Sequence, residues 1–245
     1  RESHQLHQDA LTACTEAVDQ NSTAQKALAK ALADAKSAQS ITADQVADGA
    51  TIDTLKKAIA AVKNVEAVEC KTSASTSDLK EYAKTATSQT KTAKKNATAI
   101  TAAAKAVTDS KNAKDQANAQ QALQSKIAEA QTLLDNSLYA VDDNSTRVTL
   151  ESDIANANTV LSQQGTDVKA MQDAVNTLTA SMDAVSTSMA NYSAAVEAQR
   201  EAARQKALND YYARLRQQQL LQQQQPTQSD GTDNQVTEPK DEPKQ

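Results

Sequence analysis

The sequence predicts an all-α protein, and three observations support that fold class. Three Gly and three Pro occur among 245 residues, so the two residue types that interrupt helices are scarce. No stretch alternates apolar and polar residues in the way that a half-buried β-strand requires. Apolar residues recur instead at intervals of roughly 3.5 residues over long stretches, which is typical of helices that supercoil about one another.

Two apolar seams show this spacing, one from Leu79 to Val107 and one from Val168 to Val196. A stripe with this period stays on one side of a helix, so both seams predict bundle helices. The first seam consists of Leu79, Ala83, Ala86, Thr90, Ala93, Ala97, Ile100, Ala104 and Val107. The second consists of Val168, Met171, Val175, Leu178, Met182, Val185, Met189, Tyr192 and Val196.

The chain also contains an internal repeat with a period of 95 residues. The stretch VADGATIDTL at Val46–Leu55 is echoed by VDDNSTRVTL at Val141–Leu150. Placing residues 28–65 over residues 123–160 without gaps gives eleven identities in 38 positions. A period of this length is long for a solenoid repeat but suits a unit of three helices. The doubled stretch therefore predicts two copies of one helical unit.

Each copy is predicted to consist of three helices joined by polar connections. The first helix ends near Ser40 or Asn136. The connection that follows contains Asp48 or Asp143, a residue type that caps helices. The second helices are expected at about Thr51–Cys70 and Thr146–Gln163.

The third helix of each copy carries the regular seam. Before the second of these helices, Gly165 suits a helix C′ position and Thr166 suits an N-cap. No Pro or Gly lies between Gly49 and Gly165, so the third helix of copy one can continue into the first helix of copy two. We expect this shared helix at about Ser77–Asn136, with a length of about 90 Å.

The predicted fold is an elongated rod of two tandem antiparallel three-helix bundles that share this long connecting helix. Residues 1–107 form the first bundle and residues 108–203 the second. Residues 204–225 form a helical extension that Pro226 ends. Residues 226–245 form an acidic, Pro-containing tail that we expect to be disordered.

The two cysteines, Cys14 and Cys70, both lie in the first copy. In an antiparallel hairpin the start of the first helix and the end of the second lie at the same end, so we predict a disulfide between them. The alternative is two free, half-buried thiols. A bridge that closes such a loop stabilises a fold by about 4 kcal/mol and indicates an oxidising compartment.

The residue types that carry catalysis are scarce. His4 and His7 are the two histidines, and their spacing with Asp9 nearby could hold a metal in part, although a solvated pair is the simpler interpretation. No Ser-His-Asp or Cys-His arrangement is credible, and three scattered Gly cannot form a phosphate-binding loop. We therefore expect no enzyme activity, no cofactor and no bound metal.

Charge and hydropathy limit the partners. The net charge is −5 and no basic stripe is present, so nucleic-acid binding is not expected. The apolar windows are shorter than the roughly 18 residues that span a bilayer, so this segment should not insert into a membrane. The chain begins at Arg1, which fits either a removed signal segment or a cut chain. The seams fit internal packing and dimerisation equally.

Tyr211 and Tyr212 lie beyond the second seam, next to Arg214 and Arg216. Tyrosine and arginine are frequent at the centres of protein interfaces, so this segment is a candidate contact for a protein partner. The alternatives are that the two rings pack at the end of the bundle or are solvated.

The segments VDDNSTRVTLESDIANANTVL and VKAMQDAVNTLTASMDAV resemble the small helical repeats of Gram-positive surface proteins. The closest family is the one named for being found in various architectures (FIVAR), in particular its actinobacterial and bifidobacterial members. The resemblance extends from about Gln120 to Ala190 and, more weakly, from about Gln25 to Val107. It implies a secreted or wall-exposed stalk in tandem with other modules.

These observations together predict a non-enzymatic extracellular stalk or spacer of a bacterial cell-surface protein. Stiff helices would set its reach, and the tail would join it to a neighbouring module. The alternative is an adhesin-like module that recognises a host or envelope protein through its helix faces.

Overall fold

The computed structural model describes residues 2–163, 165, 167–226 and 231, and these residues form helices and no β-strand. The predicted all-α class is confirmed. The helices in chain order are α1 (Glu2–Asp34), α2 (Lys36–Gln39), α3 (Ala50–Ala60), α4 (Thr76–Asn136), α5 (Ser145–Ser162) and α6 (Val168–Gln223). A 3-10 turn at Ala43–Gln45 lies between α2 and α3.

α4 is one continuous helix of 61 residues. Its bounds agree with the predicted helix from about Ser77 to Asn136. Ser75 caps the start of the helix, because its side-chain oxygen accepts a hydrogen bond from the Asp78 backbone N–H at 3.0 Å. At about 1.5 Å per residue α4 spans about 90 Å, which makes it the axis along which the other helices are arranged.

Two core clusters lie one after the other along α4. The first lies between α1, α2, α3 and the part of α4 around Ile100 and Val107. The second lies between α5, α6 and the part of α4 around Leu123 and Leu134. Alanine forms much of the first cluster, so each side chain there buries little apolar area and the helices approach closely.

α1 and α4 run in the same direction. The Asn21 side-chain amide donates a hydrogen bond to Gln89 Oε1 at 2.8 Å, and the His7 ring lies 3.5 Å from the Thr76 hydroxyl. These two pairs are separated along the chain by 68 and 69 residues. A constant separation means that the two helices advance together, so the chain must return between them through α3 and the segment after it.

The predicted second helix at Thr51–Cys70 is wrong over its second half, because α3 ends at Ala60. Residues 61–75, named here the strap, carry no helix and run back towards the start of α4. Distance explains the difference. From the level of Ala38 down to Cys14 the chain must cover about 36 Å, of which α3 covers about 16 Å. Ten further helical residues would cover about 15 Å, whereas ten extended residues reach about 33 Å.

The polar connections of the two copies are held by the same arrangement of hydrogen bonds. The backbone N–H of Asp48 donates to the Ser110 hydroxyl at 2.8 Å, and the N–H of the preceding residue donates to the Ser110 carbonyl at 3.0 Å. In copy two the N–H of Asp143 donates to the Ser188 hydroxyl at 2.7 Å, and the N–H before it donates to the Ser188 carbonyl at 3.1 Å. Each connection is thus fixed to a serine of the third helix.

This arrangement extends the repeat into the third helices. Asp48 and Ser110 are 62 residues apart, whereas Asp143 and Ser188 are 45 apart, so the third helices correspond at a shift of 78 residues rather than 95. The difference of 17 residues comes from the longer return segment of copy one, and a comparison without gaps cannot detect the match. At this shift the buried residues pair as Ala93/Met171, Ile100/Leu178, Ala103/Ser181, Val107/Val185 and Ser110/Ser188.

The residue that caps the start of α6 differs from the one that the sequence predicted. Asp167 caps its start, because the Asp167 side chain accepts a hydrogen bond from the Ala170 N–H at 2.7 Å. Thr166, which we expected at this position, lies outside the described residues. Gly165 has φ +75°, the left-handed conformation expected at the preceding turn. Most of the predicted tail, residues 227–230 and 232–245, also lies outside the described residues.

We predict that Ser110→Ala and Ser188→Ala each lower the free energy of unfolding by about 1–3 kcal/mol, because each leaves a partly buried backbone N–H without its acceptor. Chemical denaturation followed by circular dichroism measures the effect. Thr108→Ala is the matched control, since the Thr108 hydroxyl is exposed and bonds to a carbonyl of its own helix. Serine variants that unfold at the wild-type denaturant concentration would show that the connections are held in another way.

Candidate functional site

Cys14 and Cys70 lie at disulfide distance near the base of the molecule, as the sequence predicts. Their Cα atoms are 5.9 Å apart, and the pair joins α1 to the strap. Cys14 is fully buried and Cys70 is half-buried. Ala10 and Leu79 form a small third core cluster around them. The bridge therefore lies at the point where the strap meets both α1 and the start of α4.

Two hydrogen bonds also hold the strap, and its Val62 and Ala74 pack against core clusters. The Gln89 side-chain amide donates to the Glu66 carbonyl at 3.0 Å, and the His7 ring lies 3.2 Å from the Thr72 carbonyl oxygen. Both contacts are exposed single hydrogen bonds, which contribute little net free energy. The disulfide is thus the main anchor of the strap to α1.

The two histidines do not converge on a ligand site. The His7 ring is engaged by Thr72 and Thr76, and His4 is exposed on the first turns of α1. Among the residues that the structure describes, no group of three or more His, Cys, Asp or Glu side chains could hold a metal ion.

The Asp143 carboxylate in the second connection caps the first turn of α5. Asp143 accepts hydrogen bonds from the N–H and the hydroxyl of Ser145, both at 2.8 Å. These bonds to Ser145 hold the pKa of the Asp143 carboxyl below its ordinary value. Asp44 in the first connection has a lowered pKa as well, chiefly because Thr42 donates a hydrogen bond to it. Both groups are therefore fixed anions near neutral pH rather than proton donors.

An apolar cleft of about 340 Å³ lies between α2 and α3. Ile41, Ile52 and Leu55 contribute to its lining, and its polar members are Gln39 and Lys56. The position of copy two that corresponds to Ile52 holds an arginine, whose guanidinium donates to the carbonyl of residue 134 at 3.0 Å. The cleft offers space for an apolar group but no convergent set of polar groups for chemistry.

Residues 193–225, named here the extension, continue α6 beyond the second core cluster. Nearly all of these side chains are exposed, with Val196 and Leu215 half-buried. The extension carries its own ion pairs along the helix: Glu197–Arg204 at 3.1 Å, Glu201–Arg204 at 2.5 Å and Lys206–Asp210 at 2.8 Å. Exposure begins soon after Met189, whereas the helical extension predicted from the sequence covers residues 204–225.

Tyr211 and Tyr212, the candidate partner contact, lie in the middle of the extension. The two side chains are 56% and 50% exposed, and their ring centroids are 5.7 Å apart. Leu208 and Leu215 occupy the same face of the helix, one turn away on either side. The structure thus places an apolar patch of two exposed rings, the exposed Leu208 and the half-buried Leu215 well beyond the core clusters.

A second exposed apolar patch, at the turn between α4 and α5, was not predicted. Leu138, Tyr139 and Val148 are exposed there, Tyr139 to 86%. Tyr139 has φ +60°, a left-handed conformation that is uncommon for a residue with a side chain. A comparison of the two copies could have identified this patch. The residues 95 positions earlier are Ala43, Asp44 and Asp53, none of which is a large apolar residue. The fold of the first copy therefore does not require apolar residues at these places.

Within the described residues, the structure contains no helix that is both long and apolar enough to cross a bilayer. Comparison of the chain with protein-family models, curated proteins and solved structures gives no match. The resemblance to FIVAR repeats therefore stays a prediction that is based on the quoted segments.

We predict that Cys14→Ser/Cys70→Ser lowers the free energy of unfolding by about 4 kcal/mol, since the bridge restricts a long loop in the unfolded chain. Denaturant titration with and without reductant measures the loss. Reductant should have no effect on the double variant, which serves as the control. Two titratable thiols in unfolded, unreduced wild-type protein would contradict the pairing.

We also predict that acid weakens the extension. Hydrogen bonds from Gln205 and Arg204 lower the pKa of Glu201, and Lys206 lowers the pKa of Asp210. A lowered pKa in the folded state means that the stabilisation is present above the unfolded pKa of about 4 and is lost as the pH falls through the folded value. Backbone chemical shifts of residues 193–223 should therefore lose helical character between about pH 5 and pH 2.

The control for this titration is Glu201→Gln/Asp210→Asn, which removes both carboxylates. Its chemical shifts in the extension should change less with pH than those of the wild type. Equal pH dependence in the two proteins would show that these ion pairs do not support the helix.

Proposed function

We propose that this chain is a non-enzymatic extracellular stalk, built from two tandem helical segments, that sets the distance between neighbouring modules of a bacterial cell-surface protein. The observation that carries the proposal is the unbroken course of α4, on which both core clusters lie. A single helix that serves two cores aligns them along one axis. Such an arrangement favours length over the enclosed cavity that a catalytic site needs.

The tandem organisation is supported by the repeated contacts. The Asp48–Ser110 bond and the Asp143–Ser188 bond occupy equivalent places in the two segments. In this interpretation the first segment is α1, α2, α3 and the first half of α4. The second segment is the remainder of α4 with α5 and the first part of α6. This is also the organisation that the resemblance to FIVAR repeats implies.

The reach of the stalk follows from helix geometry. α4 contributes about 90 Å, and the 35 residues of α6 beyond Ser188 contribute about 50 Å more. The stalk would therefore be about 140 Å long. Ion pairs along the extension support this use, because a polar helix that is stabilised by its own side chains can bridge modules without a partner.

An extracellular location is supported by the Cys14–Cys70 pair. Structural disulfides form and persist in oxidising compartments and are rare in the cytosol. The buried position of Cys14 and the anchoring of the strap fit a structural bridge rather than a catalytic one.

The second candidate function is an adhesin-like module that binds a host or envelope protein. The observation that favours it is the exposed Tyr211–Tyr212 pair with Leu208 and Leu215 on one helix face. Aromatic side chains that are exposed in the free protein commonly become the anchors of protein interfaces. In this case a few side chains, rather than length, would carry the function.

We predict that a length change and a surface change have opposite effects under the two functions. Deleting residues 190–207, which lie between Met189 and Leu208, removes 18 residues, or five helical turns, so the helix faces keep their alignment, the apolar patch keeps its side chains and the reach falls by about 27 Å. Tyr211→Ser/Tyr212→Ser keeps the length and removes the rings. The full chain, anchored at one end on a bacterial surface and tagged at the other, is tested for antibody access to the tag and for partner capture from cells or secretions.

A stalk should lose antibody access after the deletion and keep it after the tyrosine changes. Reproducible capture of one partner that the tyrosine changes abolish, with normal capture by the shortened chain, would reject the stalk in favour of the adhesin. Small-angle scattering of the purified wild type provides an independent check. It should give a maximum dimension near 140 Å, and a near-spherical particle would contradict both the rod and its use as a spacer.

A further inference from the structure

The two ends of the described chain lie at opposite ends of the molecule. α1 runs parallel to α4, so Glu2 lies at the base near the start of α4. α6 also runs towards the end of α4, because Ser188 contacts the connection that follows α4. Gln223 therefore lies beyond the far end. If the protein acts as a stalk, a pull between the modules at its ends is directed along the axis of α4.

The disulfide lies at the entry point of this pull. Cys14 is twelve residues after Glu2, and Cys70 is six residues before Thr76, where α4 begins. The bridge closes a covalent loop with a sequence separation of 56. That loop contains most of α1, all of α2 and α3, and most of the strap.

We propose that the Cys14–Cys70 disulfide carries axial tension directly from α1 to the start of α4, so that residues 15–69 lie outside the load path. This inference rests on the proposed role as a stalk. It makes the first segment inextensible over that loop while the bridge is intact. The second segment has no cysteine, so its helices α5 and α6 are in series with the load. The bridge therefore locks residues 15–69 against extension, whereas α4, α5 and α6 stay in series with the load.

The lock opens by reduction. A dithiol reductant attacks the bridge, most readily at the half-buried Cys70 sulfur, because Cys14 is fully buried. The S–S bond breaks, Cys14 and Cys70 each gain a proton and one electron, and the reductant becomes a cyclic disulfide. The load must then follow the backbone through residues 15–69.

The size of the change follows from chain geometry. Between Cys14 and Cys70 the reduced chain adds 56 residue steps to the load path. At about 3.5 Å per extended residue these steps span about 200 Å, in place of the 5.9 Å between the two Cα atoms of the bridge. Reduction should therefore lengthen the fully stretched chain by about 190 Å.

The test is single-molecule stretching of the full chain between handles that are attached at its two ends without thiol chemistry. Oxidised wild type should reach full extension about 190 Å short of the same molecules after addition of the dithiol. Cys14→Ser/Cys70→Ser should show the longer value in both conditions. The extension step of the second segment should be unaffected by reductant, which provides a control within each molecule.

A second measurement separates a load bypass from a mere cross-link. Leu55 and Leu150 are equivalent positions of the repeat, 95 residues apart, and both are buried. Leu150→Ala should lower the force at which the oxidised chain first extends. Leu55→Ala should leave the full extension of the oxidised chain unchanged and should lower the force of the added step, which appears only after reduction.

Equal extension of the oxidised and reduced wild type would overturn the proposal, and so would an oxidised Leu55→Ala chain that shows the added extension step. Neither result depends on what the stalk carries in the cell. Loss of the surface role with an intact lock would reject the proposed function alone, whereas an absent lock with normal tag presentation would reject only this inference.

Discussion

The continuity of the α4 backbone is the constraint on which the rest of the structure depends. The 115 residues between Gly49 and Gly165 contain neither Gly nor Pro, so nothing in the sequence forces the helix to end between its two cores. The alanine-rich first core buries little area at each residue, so many successive contacts are needed to stabilise it. α4 supplies contacts to this core and, further along its length, to the second core of larger side chains.

The chain returns from the end of the first helix to the start of the third in different ways in the two copies. In the second segment α5 alone brings the chain back, and the large side chains Leu150 and Ile154 fill the core against Leu123 and Leu178. In the first segment α3 is shorter, and the strap covers the remaining distance without a helix. An extended strap with few hydrogen bonds gains little enthalpy to offset the entropy of ordering it. A disulfide at its end restricts the unfolded chain and so compensates for that weakness.

The sequence was sufficient for those features that local rules decide. The continuity of α4 follows from the absence of helix breakers, and the end of α6 precedes Pro226 as expected. The pairing of Cys14 with Cys70 followed from the direction of the helices, although the predicted helix on the Cys70 side was wrong. The direction of the chain was therefore enough to bring the two residues together, whether the return was helical or extended.

Other features could not be predicted, because tertiary distance decides them. Residues 61–70 contain Ala, Lys and Glu, which favour helix, and three valines that tolerate extended backbone, so local preference is ambiguous there. The position of Cys14 along α1 is what requires residues 61–70 to span more distance than ten helical residues can cover. The contacts of Ser110 and Ser188 with the polar connections could not be predicted for a related reason. The 17-residue difference between the segments removes the third helices from any comparison without gaps, and a single serine on a seam gives no signal of its own.

The extension carries the candidate partner contact that the sequence predicted. Its tyrosines were identified from the sequence as a candidate contact, and the structure places them on an exposed face well beyond the cores. The same helix carries ion pairs along its length, such as Lys206–Asp210, and each such pair supports a helix by about 0.2–0.5 kcal/mol. In the proposed stalk this helix would hold two modules apart, whereas the adhesin alternative would use only the apolar patch, which covers two turns. Length is a property of every residue in the extension, whereas binding would depend on four of them.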